Sequence, residues 1–283
     1  MNIIKTSIVL NRYLNTIRET NTKVTIGFIP TMGALHSGHT SLINASVKNN
    51  DITVCSIFVN PTQFGDSADL EKYPKPIEKD IEVLLKNECD VLFLPSNDTV
   101  YPNDYTQKSY DLNDLDLKIE GASRPGHFQG VCNVVGRFFE IVKPDNAYFG
   151  QKDYQQTVVV NRLIQITNSS VKLNVVPIKR ESHGLAMSSR NIRLSEKGRQ
   201  NAAFIYRSLV QLKEDISNLG LEQSVKKARQ FIQAQKGAHV DYLLAVDSIT
   251  LEPVKNMEDS KGIAVVTVVE YEGVRLLDNI ILK

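Results

Sequence analysis

Up to about residue 177 the chain alternates between two apolar periods that no single element can satisfy. Short β-branched runs, "KVTIGFI", "DITVCSIFV", "DVLFLP", "NAYFG" and "VKLNVVP", read as strands. Between them, Val134, Val135, Phe138, Phe139 and Val142 share one helical face, and Val158, Val159, Leu163 and Ile166 share another. Such alternation predicts βαβ units and a parallel sheet, whose ligands bind at the carboxyl ends of the strands. The polar, Gly/Pro-containing segments after Ile29, Val59 and Phe149 then fall on one rim.

Beyond about residue 178 the texture changes. "SEKGRQNAAFIYRSLVQLKEDISNL" and "LEQSVKKARQFIQAQ" read as amphipathic helices, and "VDYLLAVDSI", "GIAVVTVVEY" and "VRLLDNIIL" as strands, with a hairpin turn at Glu272 and Gly273. The predicted fold class is α/β. A Rossmann-like parallel sheet occupies 1–177, and a smaller α+β domain occupies 178–283, which carries the "MSSR" segment near its start. The stretch "YPNDYTQKSYDLNDLDLKIEGASRPGHF" fits neither period and is expected to wrap the first domain's rim.

Charge narrows the range of partners. Thirty-three basic residues face thirty-two acidic ones, with no run of like charge, so neither nucleic acid nor an anionic membrane is the expected partner. The N-terminal apolar run is too short for a signal-peptide core, and no stretch approaches a membrane span, so a soluble, intracellular protein is expected. Cys55, Cys89 and Cys132 are far apart, lack metal-type spacing and sit beside apolar residues, which predicts buried, reduced thiols.

The segment "PTMGALHSGH" follows directly on the strand "KVTIGFI". A strand-to-helix turn presents unpaired N–H groups and the positive end of a helix dipole, and so attracts an anion. Gly38 lets a phosphate approach the backbone, while His36 and His39 add donors that can stabilise charge on a phosphoryl group. The competing reading is two unrelated histidines at a surface turn. "GALHSG" lacks the dinucleotide spacing G-x-G-x-x-G, and the chain has no P-loop. A second cluster, "KRESHGLAMSSRN", places Ser188, Ser189 and Arg190 in a row, a donor set suited to a triphosphate. Its Gly184 and its position between domains suggest a lid that closes over ATP. A polar interdomain linker is the alternative.

Taken in series, "PTMGALHSGH", "FVNPTQF", "RPGHFQGV", "KPDNAYFGQKDYQQ" and "GLAMSSRN" resemble the signature segments of the pantothenate synthetase (pantoate–β-alanine ligase) family, from about Ile26 to Arg193. That family sits in the nucleotidyltransferase superfamily. The resemblance implies ATP-dependent condensation of pantoate with β-alanine to pantothenate, AMP and pyrophosphate through a pantoyl-adenylate, in a cytoplasmic, Mg²⁺-dependent homodimer. It further implies that Met32, His36, Gly38 and His39 lie against ATP, with Asn60 beside the phosphates. Lys152 would contact phosphate and Asp153 the ribose, with Gly150 allowing close approach. Met187, Ser188, Ser189 and Arg190 would form the lid segment, and Gln63 and Gln156 would hold pantoate. His36, His39, Lys152 and Arg190 would stabilise developing charge, and no protein metal ligand is assigned. Tyr73 resembles the family's tyrosine near the pantoate site, and Arg124 and His127 are read as structural or rim residues. Gln63 as a strand-end amide and Lys152–Asp153 as a surface ion pair are the plainer alternatives. The chain departs from the family's usual pattern at His183 (Asp), Gln151 (Glu) and Lys75 (Arg), which bears on lid motion and pH dependence. Two other functions remain open: transfer of AMP or CMP to a phosphate ester, and nucleotide binding without catalysis.

Overall fold

The computed structural model describes residues 1–65, 70–71 and 73–283. The chain divides into two compact units, one formed by Met1–Gly150 with Val159–Val176, the other by Gln151–Val158 with Pro177–Lys283.

The first unit is built on a parallel sheet of six strands: β1 (Asn2–Ile4), β2 (Ile26–Thr31), β3 (Ile52–Ile57), β4 (Val91–Phe93), β5 (Asn146–Gly150) and β6 (Lys172–Val176), in the order β1-β4-β3-β2-β5-β6. Five of these match the strands read from the apolar runs. β2 and β3 are almost wholly buried, as expected of parallel strands covered on both faces. Helices α1 (Ser7–Thr20), α2 (Ser37–Asn49), α3 (Ile77–Lys86) and α4 (His127–Val142) accompany the sheet. Adjacent β2 residues serve opposite faces. Ile29 packs in a cluster with Leu42 and Ile43 of α2 and Leu84 of α3. Phe28 instead meets Phe138 of α4 edge-on at 5.6 Å, and Phe93 and Phe58 approach the same ring.

The apolar pattern did not disclose β1 or α1. The long stretch from Tyr101 is a strap along α4 more than a rim loop: Asn133 of α4 accepts from Tyr105 Oη (3.0 Å) and Lys108 N (2.8 Å), and Gln129 accepts from Tyr110 N (3.0 Å).

In the second unit, β7 (Ala238–Asp247), β8 (Ile263–Tyr271) and β9 (Val274–Ile281) form an antiparallel sheet with β8 central. The Glu272–Gly273 turn joins β8 to β9 with both residues at positive φ, as a tight two-residue hairpin requires. Helix α5 (Tyr154–Ile166) begins in this unit and ends in the first. The region expected as one helix from Ser195 is two, Glu196–Asn201 and α6 (Phe204–Leu219), separated at Ala202 and Ala203, and α7 (Leu221–Gln233) follows. Leu209, Leu212, Leu221 and Ile232 of α6 and α7 pack with Val240, Leu243, Val265, Val269 and Leu276 of the sheet. No helix among the described residues is long and apolar enough to cross a membrane.

Candidate active site

In the first unit the chain builds outward from β2 through β3 to β4, then returns to place β5 on the other side of β2. That reversal is a topological switch point, where an open α/β sheet leaves a crevice at its strand ends. Pro30 helps to open it. Ile26 donates to Asp145 Oδ2 (2.7 Å) and accepts from Asp145 N (2.9 Å), so alternate residues of β2, including Pro30, face β5. Pairing with β5 stops at Phe28↔Ala147, whereas pairing with β3 continues to Thr31↔Ile57. The missing N–H of Pro30 therefore falls where the ladder has already ended.

The turn after β2 passes through Gly33 at φ +83° and Ala34 at φ +51°. Thr31 Oγ1 accepts from Gly33 N (3.2 Å), and the buried Asp80 of α3 accepts from Ala34 N (2.9 Å) and Leu35 N (2.7 Å). A Cβ on Gly33 would stand 2.9 Å from Asp80 Oδ2. Burial pushes the Asp80 carboxyl above its ordinary value, opposed by these two N–H bonds.

His36 then caps α2. Its Nδ1 accepts from Gly38 N (3.1 Å), and His39 Nδ1 accepts from His36 N (3.3 Å), a reciprocal capping box that leaves the ring centroids 4.1 Å apart. This corrects the expectation of unpaired N–H groups at the turn. The Gly38 N–H is satisfied by an imidazole. Because a backbone N–H only donates, each Nδ1 is the acceptor, and the proton of each neutral ring sits on Nε2.

Met32, Asn60 and Gln63 come together beside this turn. Asn60, 1% exposed, caps the 3-10 turn Pro61–Gln63. Its Oδ1 accepts from Tyr101 Oη (2.9 Å), and its Nδ2 donates to Gln63 Oε1 (3.1 Å) and Gly130 O (3.2 Å). Gln63 Nε2 in turn donates to Met32 Sδ (3.1 Å). The buried His127 donates from Nδ1 to Gln63 O (2.8 Å), and Arg124 Nη1 lies 3.4 Å from its Nε2, so the structural reading of this pair acquires a specific object. The Tyr73 ring lies 6.0 Å from that of Phe64. At the end of β5 no described atom lies within 4 Å of where a Gly150 Cβ would stand.

In the second unit Lys152 Nζ and Asp153 Oδ1 pair at 2.8 Å, and Gln156 is half-buried on the first turn of α5. Lys179–Met187 folds back as a hairpin, with Met187 N donating to Lys179 O (2.9 Å) and Glu181 N to Leu185 O (2.8 Å). Ser188 Oγ then accepts from Arg190 N (3.2 Å) and caps the 3-10 turn Ser189–Arg193. Glu181 accepts from Arg199 Nε (2.7 and 2.9 Å) and Asn191 Nδ2 (3.0 Å), and His183 Nε2 donates to Arg199 O (2.9 Å). An Asp at 183 could not donate to that carbonyl, which gives this departure from the family pattern a local purpose. Asp80, Tyr101, Asp278 and Asn279 escaped sequence reasoning, because each acts on residues remote in sequence and none lies in a motif.

Residues 2–281 match the family described as Pantoate-beta-alanine ligase. The chain belongs to the pantoate–β-alanine ligase family. It is 46% identical over 262 residues to pantothenate synthetase of Thermosipho melanesiensis, covering 90% of this chain and 91% of the relative. Against the pantothenate synthetase of Azobacteroides pseudotrichonymphae it is 42% identical over 281 residues, 99% of both chains. The crystal structure of pantothenate synthetase from Thermus thermophilus superposes with a TM-score of 0.90 at 35% identity, covering 100% of this chain and 99% of that one. Pantoate–β-alanine ligase from Francisella tularensis, complexed with β-γ ATP and β-alanine, gives 0.79 at 35% identity, with 100% and 98% coverage. The Rossmann-like sheet and the enzymatic class of the family follow for this chain.

Proposed function

We propose that this ligase activates pantoate as an acyl-adenylate. A pantoate carboxylate oxygen attacks the α-phosphorus of ATP, and the bond to pyrophosphate breaks. The β-alanine nitrogen then attacks the activated carbonyl, AMP leaves with the carboxylate oxygen, and the ammonium proton is lost. A free carboxylate would have to expel oxide, and adenylation replaces that with a good leaving group. No protein nucleophile is needed, so catalysis is alignment and charge stabilisation.

The observation that carries the reading is the capped histidine pair, with both Nδ1 atoms held by the backbone and both protons on Nε2. In this reading those protons point at the phosphates and are fixed before substrate arrives. Lys152 exchanges Asp153 for phosphate, Asp153 takes the ribose, and Gln63 and Gln156 hold pantoate. Met32, Gly38, Asn60 and Gly150 line the nucleotide. Residues 1–177 act as the nucleotide- and pantoate-binding domain, and residues 178–283 as a lid domain in which Met187, Ser188, Ser189 and Arg190 meet the β and γ phosphates. Cytoplasmic location, a homodimer and Mg²⁺-loaded ATP rest on the family resemblance. Among the described residues no three His, Cys, Asp or Glu side chains converge as ligands; Mg²⁺, which keeps several waters and binds chiefly through substrate phosphates, would enter with ATP, and no step is assigned to it.

The test is formation of AMP and pyrophosphate from Mg·ATP and pantoate, with and without β-alanine, with mass spectrometry of the products. AMP and pantothenate should accumulate together only with both organic substrates present. His39→Ala should slow pyrophosphate release by roughly 10²–10³, the cost of one oxyanion-type donor. Full pyrophosphate release by that variant would remove His39 from the mechanism.

A further inference from the structure

We propose that Asp278 and Asn279, neighbours on β9, are positioning residues that hold two nucleotide-contacting segments of the second unit in register, an inference that rests on the functional reading above. Both are buried, at 4% and 2% exposure, on a strand that among the described residues pairs only with β8. From this one point each reaches a different segment.

Asp278 holds the hairpin that leads into Met187–Arg190. Arg180 binds its carboxylate with both guanidinium arms, at 2.7 and 2.8 Å, and also donates to Gly184 O (3.1 Å) at the hairpin's bend. The guanidinium carbon lies 3.6 Å from the centroid of the Tyr206 ring, so the cation is clamped between carboxylate and aromatic face.

Asn279 holds the turn that carries Lys152 and Asp153. Its Nδ2 donates to Gln151 O (2.9 Å) and Lys152 O (3.0 Å), while its Oδ1 accepts from Gln151 Nε2 (3.0 Å). The two halves are joined, because Asn279 N donates to Asp278 Oδ1 (2.7 Å).

Two carbonyls facing Asn279 orient its amide with the nitrogen toward them, which leaves its oxygen to accept from Gln151 Nε2.

The function of the hub is geometric. Apolar residues could fill the same volume at comparable stability, whereas they could not fix the Lys152 and Arg190 segments relative to each other. Register of that kind matters when one triphosphate must be met from both.

The experiment measures binding of β,γ-methylene ATP by calorimetry, and steady-state KM for ATP and for β-alanine, in the wild type, Gln151→Ala, Asn279→Asp and Asp278→Asn. Gln151→Ala is the milder change and keeps the test alive should a buried substitution fail to fold. Each folded variant should weaken nucleotide binding at least tenfold with KM for β-alanine within twofold of wild type. In a background carrying both Lys152→Ala and Asp153→Ala, Asn279→Asp should cost less than a further twofold, because the groups it positions are already gone. Wild-type nucleotide affinity in Gln151→Ala and Asn279→Asp, or a further loss of twofold or more in the double-alanine background, would overturn the hub. Failure of the wild type to bind the analogue would instead overturn the functional reading, and the hub with it.

Discussion

Asp80 carries a carboxylate into the interior of the first unit, where it meets the backbone N–H groups of Ala34 and Leu35 across 46 and 45 residues of sequence. Its charge satisfies two donors in the turn that sets the direction of His36. Asp80→Asn preserves the volume but turns one acceptor into a donor facing a donor. We expect a loss of about 1–3 kcal/mol, the usual cost of an unsatisfied buried partner, seen as a lower midpoint in thermal unfolding. A midpoint equal to wild type would mean that water or a rearranged turn replaces the carboxylate. Nothing local marks Asp80 in the sequence, since it reads as one more acidic residue on an amphipathic helix. His36 and His39 were legible for the opposite reason, being packed with glycine into ten residues between a strand and a helix. Their spacing disclosed the residues, but the capping role of the rings emerges only from the folded turn.

Secondary-structure elements meet closely where α4 crosses the Pro61–Gln63 turn. A Cβ on Gly130 would stand 2.3 Å from Thr62 O and 2.8 Å from Gln63 Cα, so the helix approaches the turn only because position 130 has no side chain. Gly130→Ala must displace one of the two backbones. The expected result is a several-fold rise in KM for pantoate with a smaller change in KM for ATP, and an equal rise in both would point to general loosening. At the end of β7, Asp247 accepts from Ser260 Oγ, Ile249 N (2.9 Å), Thr250 N (2.7 Å) and Thr250 Oγ1 (3.0 Å). Burial works to raise its pKa, but these bonds outweigh it and hold the carboxyl down at about 2. A depressed folded-state value stabilises above the ordinary 3.8 and is lost as pH falls toward about 2. The difference in melting temperature between wild type and Asp247→Asn should therefore be constant above pH 3.8 and narrow below it; a difference that grows on acidification would contradict the assignment. β2, β3 and β5 through β9 were legible because they run for five residues or more, and β4, three residues long, because it sits inside the apolar run "DVLFLP". β1, equally short, has only Ile3 and Ile4 between Asn2 and Lys5 and no such run to read. On α1 Ile8 and Val9 are 71% and 51% exposed, which blurs the stripe formed by Leu10 and Leu14.

For the molecule as a whole, the three thiols report on the integrity of one unit. Cys55, Cys89 and Cys132 are all buried in the first unit, and burial pushes Cys89 and Cys132 up to about 12 and Cys55 well above its usual range. A thiol-reactive dye should label none of them quickly near neutral pH, and all three together once that unit unfolds. Rapid labelling of one in the native state would reveal local opening. The division into a parallel sheet and a smaller α+β unit was visible because apolar period changes along the chain. The assignment of Gln151–Val158 to the second unit was not, since it depends on Asn279 reaching back to a turn 128 residues earlier. The capped histidines have a consequence for the gene. Because each ring caps the backbone and, in the proposed reading, serves the chemistry, a codon change at 36 is felt twice, with two exceptions a single base away. Asparagine or aspartate at 36 would still cap the helix, since a side-chain oxygen suits that position, while carrying no ring proton. A lineage relieved of the need for this enzyme could drift there silently, keeping a folded, abundant protein long after its activity had gone.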